Sequence, residues 1–359
     1  MRIRAERDDL ADVLSRAGRA VGTRSPMPIL QGVLVEVAGS SMRITGTDLE
    51  MTVRTSLEVE ALEEGRTVIP ARYATEAVRK LPAGAVVLQA QDGEVEIAGG
   101  GPKFRFRELP VDDFPKVGEP DVANAISVDG QEFASAVSQV AVAASTDDAR
   151  PILTGVYFEQ EDQGLRLVAT DSYRLAVRDL PAVSGRLNGL VPVRALRDMG
   201  RTVGAAELKI ALGTREATVV SERGSLTARL VEGTFPNYRQ LIPAQYSGRV
   251  VVAREALLDA IDRASLVAED HIPIRLHLQE GGIELSVTRQ DVGGETEHVP
   301  ATYDGEEMTI AFNSRYLNDG VAAVADDEVA IDVQDPLKPG VVHGTESEDF
   351  LYLLMPVRL

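Results

Sequence analysis

Short landmarks recur along the chain at a nearly fixed distance. Pro28-Ile29-Leu30 returns as Pro151-Ile152-Leu153 and again as Pro273-Ile274-Arg275, steps of 123 and 122 in a chain of 359 residues. Strand-like alternation follows, as in Val33 to Val37 and Val156 to Phe158. An apolar stripe at helical spacing precedes each landmark: Leu10, Val13, Leu14, Ala17 and Val21; then Phe133, Val137, Val140 and Ala141; then Leu257, Leu258, Ile261 and Leu266. A second helix opens at Val68-Ile69-Pro70-Ala71-Arg72, at Val191-Pro192-Val193-Arg194 and at Ala311-Phe312-Asn313-Ser314-Arg315. Thr47-Asp48 corresponds to Thr170-Asp171, with Thr288-Arg289 in the third slot. A solenoid unit of ~20 to 50 residues leans on its neighbours, whereas a unit of this size can enclose a core of its own. The expected architecture is three similar α+β domains, residues 1–123, 124–247 and 248–359, each with two helices on antiparallel sheets. The boundaries fall in the polar connections Pro120 to Asn124 and Tyr246 to Arg249.

Composition narrows the chemistry. Cysteine is absent, so no disulfide framework, thiolate nucleophile or Cys-ligated zinc is possible. His271, His277, His298 and His343 show no HxxxH-type spacing, and no metal or cofactor is expected. There is no GxSxG elbow or GxxxxGK[ST] loop, and Gly99-Gly100-Gly101-Pro102 precedes a strand rather than a helix N-terminus. Paired carboxylates such as Asp8-Asp9, Asp112-Asp113 and Asp326-Asp327 read as ordinary surface in a chain of net charge −19. The N-terminal segment has no apolar signal core, and no run approaches the ~18 apolar residues of a spanning helix, so a cytoplasmic protein is expected.

The net charge argues against a protein that coats nucleic acid indiscriminately. It is unevenly placed, however. The six helical segments 6–22, 71–82, 130–146, 192–203, 254–268 and 314–325 hold 12 basic and 11 acidic residues, leaving 25 basic and 45 acidic elsewhere. Arg194, Arg197 and Arg201 form one helical stripe opposite Leu196 and Met199, and Arg72 with Arg79 repeats its spacing. Lys103-Phe104-Arg105-Phe106-Arg107 alternates, putting three cations on one side of a strand and two rings on the other.

These landmarks bring a family into view. Ser25 to Leu30, Gly46-Thr47-Asp48-Leu49-Glu50, Asp112-Asp113-Phe114-Pro115, Arg150 to Val156, Ala169 to Ala176, Glu232 to Tyr238 and Leu354-Met355-Pro356-Val357-Arg358-Leu359 stand in the order and spacing of the bacterial sliding clamp, the beta subunit of DNA polymerase III, and the resemblance spans the chain. It implies a non-catalytic processivity subunit. Two three-domain chains would close head to tail into a homodimeric ring of six domains that encircles double-stranded DNA without reading sequence and tethers the replicative polymerase.

Residue by residue, the resemblance implies DNA contact by Arg24, Arg72, Arg79, Lys80, Arg150, Arg194, Arg197 and Arg201. The loop before Arg150 departs from the family pattern in carrying Asp147 and Asp148, with Ile152 just beyond. The ring contact would pair the strand of Lys103, Phe104, Arg105 and Arg107 with an acidic edge holding Glu295 and Glu297, and set Phe104 against Leu266 and Val267. A cleft for partner peptides would be built from Leu153, Thr170, Ser172, Tyr173, Arg174, Leu175, Pro236, Leu241, Asn313, Tyr316, Pro339 and Leu353, with the C-terminal Met355, Pro356, Val357, Arg358 and Leu359. The polymerase alpha subunit, the clamp loader delta subunit and other proteins bearing a clamp-binding motif would compete for it, through polar groups that fix the peptide backbone and an adaptable Met355. The alternative is a divergent second clamp copy acting as a regulatory or resistance scaffold.

Overall fold

The computed structural model describes residues 1–22, 27–162, 164–183, 185–203, 207–268 and 272–358, with the side chains of 200–203 excepted. Six α-helices occur among the described residues: α1 (Arg7–Ala17), α2 (Ala71–Lys80), α3 (Gly130–Ala141), α4 (Val193–Val203), α5 (Arg254–Ser265) and α6 (Ser314–Ala323). All six expected segments are helical, but the first ends at Ala17 and continues as a 3-10 turn, Gly18–Ala20, and the third, expected to 146, ends at Ala141. None of the helices is long and apolar enough to cross a membrane.

Two compact units emerge, and they cut across the repeat. The first comprises Met1–Glu132 with Arg194–Leu230, the second Phe133–Val193 with Val231–Leu359. Strand pairing explains the cut. In the first unit one antiparallel sheet runs Glu60–Glu63, Arg2–Glu6, Ala85–Gln91, Glu94–Ala98, Lys103–Arg107. A second runs Ile126–Asp129, Glu207–Leu212, Glu216–Ser221, Gly224–Arg229, Met51–Glu58, Ser41–Thr47, Gly32–Ala38, Gly65–Pro70. It therefore joins strands of the first and second repeats, with Leu226 opposite Val53 and Thr227 opposite Thr52. α1 buries Leu10, Val13 and Leu14 in a core shared with Ile44, Ile69, Val78 and Leu88.

The second unit contains a twelve-stranded antiparallel sheet in the order Gly189–Pro192, Gly155–Glu161, Gly164–Thr170, Arg174–Leu180, Phe350–Leu354, Gly340–Gly344, Glu328–Val333, Gly248–Ala253, Gly293–Asp304, Gly282–Arg289, Ile274–Gln279, Met308–Phe312. Here the second and third repeats join, with Leu175 opposite Leu353 and Val177 opposite Leu351. The two joints use equivalent strands, since Met51–Glu58 and Arg174–Leu180 both follow the Thr-Asp landmark.

That landmark folds identically in both repeats. The Thr47 hydroxyl donates to the Met51 carbonyl (2.9 Å) and the Thr170 hydroxyl to the Arg174 carbonyl (2.7 Å). Asp48 Oδ1 accepts from the amides of Glu50 and Met51, and Asp171 Oδ1 from those of Tyr173 and Arg174. The residue between is left-handed without being glycine: Leu49 at φ 76° and Ser172 at φ 82°. Such a conformation costs about 1–3 kcal/mol, and the carboxylate's two amide bonds offset it. In the third repeat Arg289 replaces the aspartate and pairs with Asp291 instead (2.8 Å), so this turn is not rebuilt.

Candidate functional site

The turn at Thr170–Arg174 delivers its residues to the joint between Arg174–Leu180 and Phe350–Leu354. Leu175 and Leu353 are opposite one another and fully buried, and Val341 is opposite Leu353 on the next strand. With Val168, Val177 and Tyr238 they form one cluster, against which Phe235, Ile242 and Tyr246 of the connecting segment pack. Pro236 and Leu241 of that segment are exposed beside it, and Leu153 lies buried in the 3-10 turn Pro151–Leu153. The C-terminal residues run on in register: the Met355 amide donates to the Tyr173 carbonyl (2.9 Å) and the Val357 amide to the Ala311 carbonyl (2.8 Å). The strand ends at Leu354, two residues before Pro356, which has no amide hydrogen to extend a ladder. Met355 stays 40 % exposed and Tyr173 58 % exposed. Pro339 stands just before the strand that carries Val341, and Leu359 lies outside the described residues.

Arg174, Thr170 and Asn313, expected to line the cleft, make hydrogen bonds within the protein. Arg174 is only 6 % exposed; its Nε meets Asp171 Oδ2 at 3.0 Å and its Nη1 meets Asp319 Oδ2 at 2.5 Å and the Tyr352 hydroxyl at 3.3 Å. Burial pulls this guanidinium down, yet Tyr352, Asp319 and Asp171 outweigh it and keep the group firmly protonated. The Arg174 guanidinium also lies 4.2 Å from the centroid of Tyr316, and Tyr173 stacks on the same ring at 6.3 Å. Tyr352, whose own ionisation burial pushes up, donates to the Tyr316 carbonyl (2.9 Å). Asn313 caps α6 by accepting from the Tyr316 amide, and Thr170 closes its turn. Asp319 and Tyr352 were not expected from the sequence. The available signal was that Asp198 and Asp319 recur at equivalent helical positions.

The candidate DNA contacts divide. Arg72, Arg79 and Lys80 project from the exposed side of α2, Arg72 paired with Glu76 (3.0 Å) and Arg79 donating to Ser15 (2.8 Å). Arg194 and Arg197 are exposed on α4, opposite buried Leu196 and Met199, and Arg194 also reaches Asp48 at 3.0 Å. Arg150 is held by Asp147 (3.1 Å) with Ser172 at 3.4 Å. Arg24 and the side chain of Arg201 lie outside the described residues.

Both halves of the expected ring contact are strand edges among the described residues. Lys103–Arg107 pairs only with Glu94–Ala98, and residues 293–300 pair only with Gly282–Arg289, while 301–304 also meet Gly248–Ala253. Lys103 and Arg105 are exposed and share Glu96, at 3.2 and 3.0 Å. Phe104 and Phe106 stack in parallel at 6.4 Å on the other face, with Tyr73 continuing the row at 6.3 Å. Leu266 is 86 % exposed at the end of α5, next to a half-buried Val267. Glu297 is taken bidentately by Arg263 (2.7 and 2.8 Å), which lowers its pKa. Glu295 differs: its Oε2 is buried without a hydrogen-bond partner, and burial, with the charge of Glu297, raises its pKa.

No group of three or more His, Asp or Glu residues placed to hold a metal occurs among the described residues. Repeats on continued antiparallel sheets, with cations along helices and an apolar cluster against the C-terminal strand, define a clamp-type scaffold. Models of the N-terminal, central and C-terminal domains of the DNA polymerase III beta subunit match residues 1–118, 127–237 and 239–358. A beta sliding clamp of Streptomyces coelicolor is 32 % identical over the whole of both chains, and a beta sliding clamp homolog of Streptomyces muensis, GriR, is also 32 % identical, over 100 % of this chain and 99 % of its own. The DnaN sliding clamp of Bartonella birtlesii, solved bound to griselimycin, superposes with a TM-score of 0.94 at 30 % identity over all of both chains. The chain belongs to the DNA polymerase III beta subunit family, the bacterial sliding clamps. Its function is that of a DNA sliding clamp, a processivity factor that binds DNA, polymerase and clamp-binding partners and is not itself catalytic.

Proposed function

We propose that two copies of the chain close head to tail into a ring around duplex DNA. One observation carries this. Met51–Glu58 of the first repeat pairs with Gly224–Arg229 of the second, and Arg174–Leu180 of the second pairs with Phe350–Leu354 of the third. By the same equivalence the third repeat offers Gly293–Asp304 and the first offers Lys103–Arg107; among the described residues Lys103–Arg107 ends its sheet and 293–300 has one side unpaired. A second copy completes the series, bringing Lys103, Arg105 and Arg107 to Glu295 and Glu297 and Phe104 to Leu266 and Val267. Such a heterologous contact must close or it makes filaments.

Within that ring the domains would be 1–123, 124–247 and 248–359. Arg24, Arg72, Arg79, Lys80, Arg150, Arg194, Arg197 and Arg201 would meet phosphates without base readout, a weak contact compatible with sliding. The groove of Leu175, Leu353, Pro236, Leu241, Tyr173, Tyr316 and Met355, with Leu153, Thr170, Ser172, Arg174, Asn313, Pro339 and Pro356 to Leu359 around it, would receive a short apolar motif from the polymerase alpha subunit, the clamp loader delta subunit and other partners, in the cytoplasm. Apolar walls with buried, internally satisfied polar groups support this reading. Loading onto nicked circular DNA tests it: the protein should stay on the circle and be lost on linearisation, and equal loss from both forms would exclude encirclement.

A further inference from the structure

The wall of the groove that carries Pro236 and Leu241 belongs to no strand. It is a segment whose regular structure is one 3-10 turn, Tyr238–Leu241, with Tyr238 buried and Leu241 exposed. Tyr238 is 3 % exposed and packs with Leu175 and Leu353, while its hydroxyl donates to Glu159 Oε2 at 2.5 Å. Burial and then the Glu159 carboxylate push the phenol's pKa up, so it remains a donor. Arg239 lies over the Tyr238 ring (5.3 Å to the centroid) and grips the same Glu159 oxygen at 2.8 Å together with Glu161. Glu159 and Glu161 stand on Gly155–Glu161, a strand of the twelve-stranded sheet.

We propose that Arg239, with Glu159 and Glu161, is a positioning latch for the partner-peptide groove: it touches no peptide, but by seating Tyr238 it sets where Leu241 and Pro236 stand. This rests on the groove reading above. An isolated exposed ion pair does little, whereas several charges sharing one buried phenol form a network. The latch is half exposed, so salt weakens it. Binding of a peptide with no charge of its own should then be salt-sensitive through the protein alone.

The test measures affinity and dissociation of the capped, uncharged peptide QLSLF on the full-length protein. Arg239→Gln should weaken binding about threefold to tenfold, mostly through faster dissociation, and Arg239→Lys should recover most of it. Raising NaCl should weaken the parent more than Arg239→Gln, in which Arg166 still pairs with Glu161 (3.3 Å), and Glu159→Gln should behave like Arg239→Gln. Amide exchange over 235–243 should quicken in Arg239→Gln. Parental affinity, or a parental salt response, in Arg239→Gln would overturn the latch. If the parent does not bind the peptide, or a chain lacking Met355 to Leu359 still does, the groove reading fails instead. The exchange then decides alone: unchanged exchange over 235–243 overturns the latch and faster exchange supports it.

Discussion

His343 is bonded at both ring nitrogens, Nδ1 to the Gly344 carbonyl at 2.7 Å and Nε2 to Asp332 Oδ2 at 3.0 Å. Both partners accept, an arrangement that favours the doubly protonated ring, and the Asp332 hydrogen bond lifts its pKa above 6.5 against the opposing effect of burial. Asp332 is 2 % exposed; burial alone would raise it, but His343 and Arg249 hold it below 3.8. The stability from His343 is therefore full below pH 6.5 and is lost as pH rises through its higher folded value. That from Asp332 is present above pH 3.8 and is lost as pH falls through its lower one. Melting temperature followed upward from about pH 6 should decline in the parent, and His343→Gln should remove that slope. The sequence marked His343 only as one of four scattered histidines, because its partner stands eleven residues away on the neighbouring strand, where only the hairpin register brings them together. Gly320 was equally silent: a Cβ there would stand 2.4 Å from the Tyr352 ring, beside the Arg174 network. Gly320→Ala should cost about 1–3 kcal/mol by overpacking, read as a lower denaturation midpoint with little change in slope.

Helices were legible to within a few residues because each buries a stripe at its own period; α2, expected from Ala71 to Pro82, runs Ala71–Lys80. Which strands join was not, because a repeat shows what each unit contains and not which neighbour it extends. The middle repeat illustrates this: it divides between two sheets, a division invisible in its periodicity. Groove membership came from resemblance, while the internal use of Arg174, Thr170 and Asn313 depended on distances no spacing could supply. Removing Met355 to Leu359 deletes the backbone bonds from Met355 to Tyr173 and from Val357 to Ala311. That truncation should abolish peptide binding in a titration yet leave the oligomeric state unchanged, since the two strands of the proposed seam lie elsewhere. On α4, neutralising Arg194, Arg197 and Arg201 together should flatten the salt dependence of DNA retention by up to about 0.9 per lost phosphate contact. An unchanged slope would place the stripe away from DNA.

At the scale of the whole molecule, the net charge of −19 makes closure of a ring from like-charged copies an electrostatic problem, which local complementarity has to solve. The open edges are suited to it. One presents three cations and a row of stacked rings; the other presents Glu297, already neutralised by Arg263, and Glu295, whose buried Oε2 has no partner in the isolated chain. Glu295 is thus destabilised as an anion by burial and by Glu297, which Arg263 only partly offsets, and its pKa in the free chain stands above 4.5. Pairing with Lys103 or Arg105 of the second copy would lower that value. Association must then release a proton where the free chain is still protonated, so ring stability should fall as pH drops through the raised Glu295 value and recover above it. Light scattering of the parent across mildly acidic pH should show the dimer giving way to the 38.6 kDa chain, and Glu295→Gln should weaken the dimer at neutral pH while flattening its acid response. Phe104→Asp supplies the complementary arm: it puts an unpaired charge into the ring row facing Leu266 and should yield the single chain at every pH. A Phe104→Asp protein that still formed the dimer would exclude this edge as the seam, and a parental acid response in Glu295→Gln would assign the proton to another group.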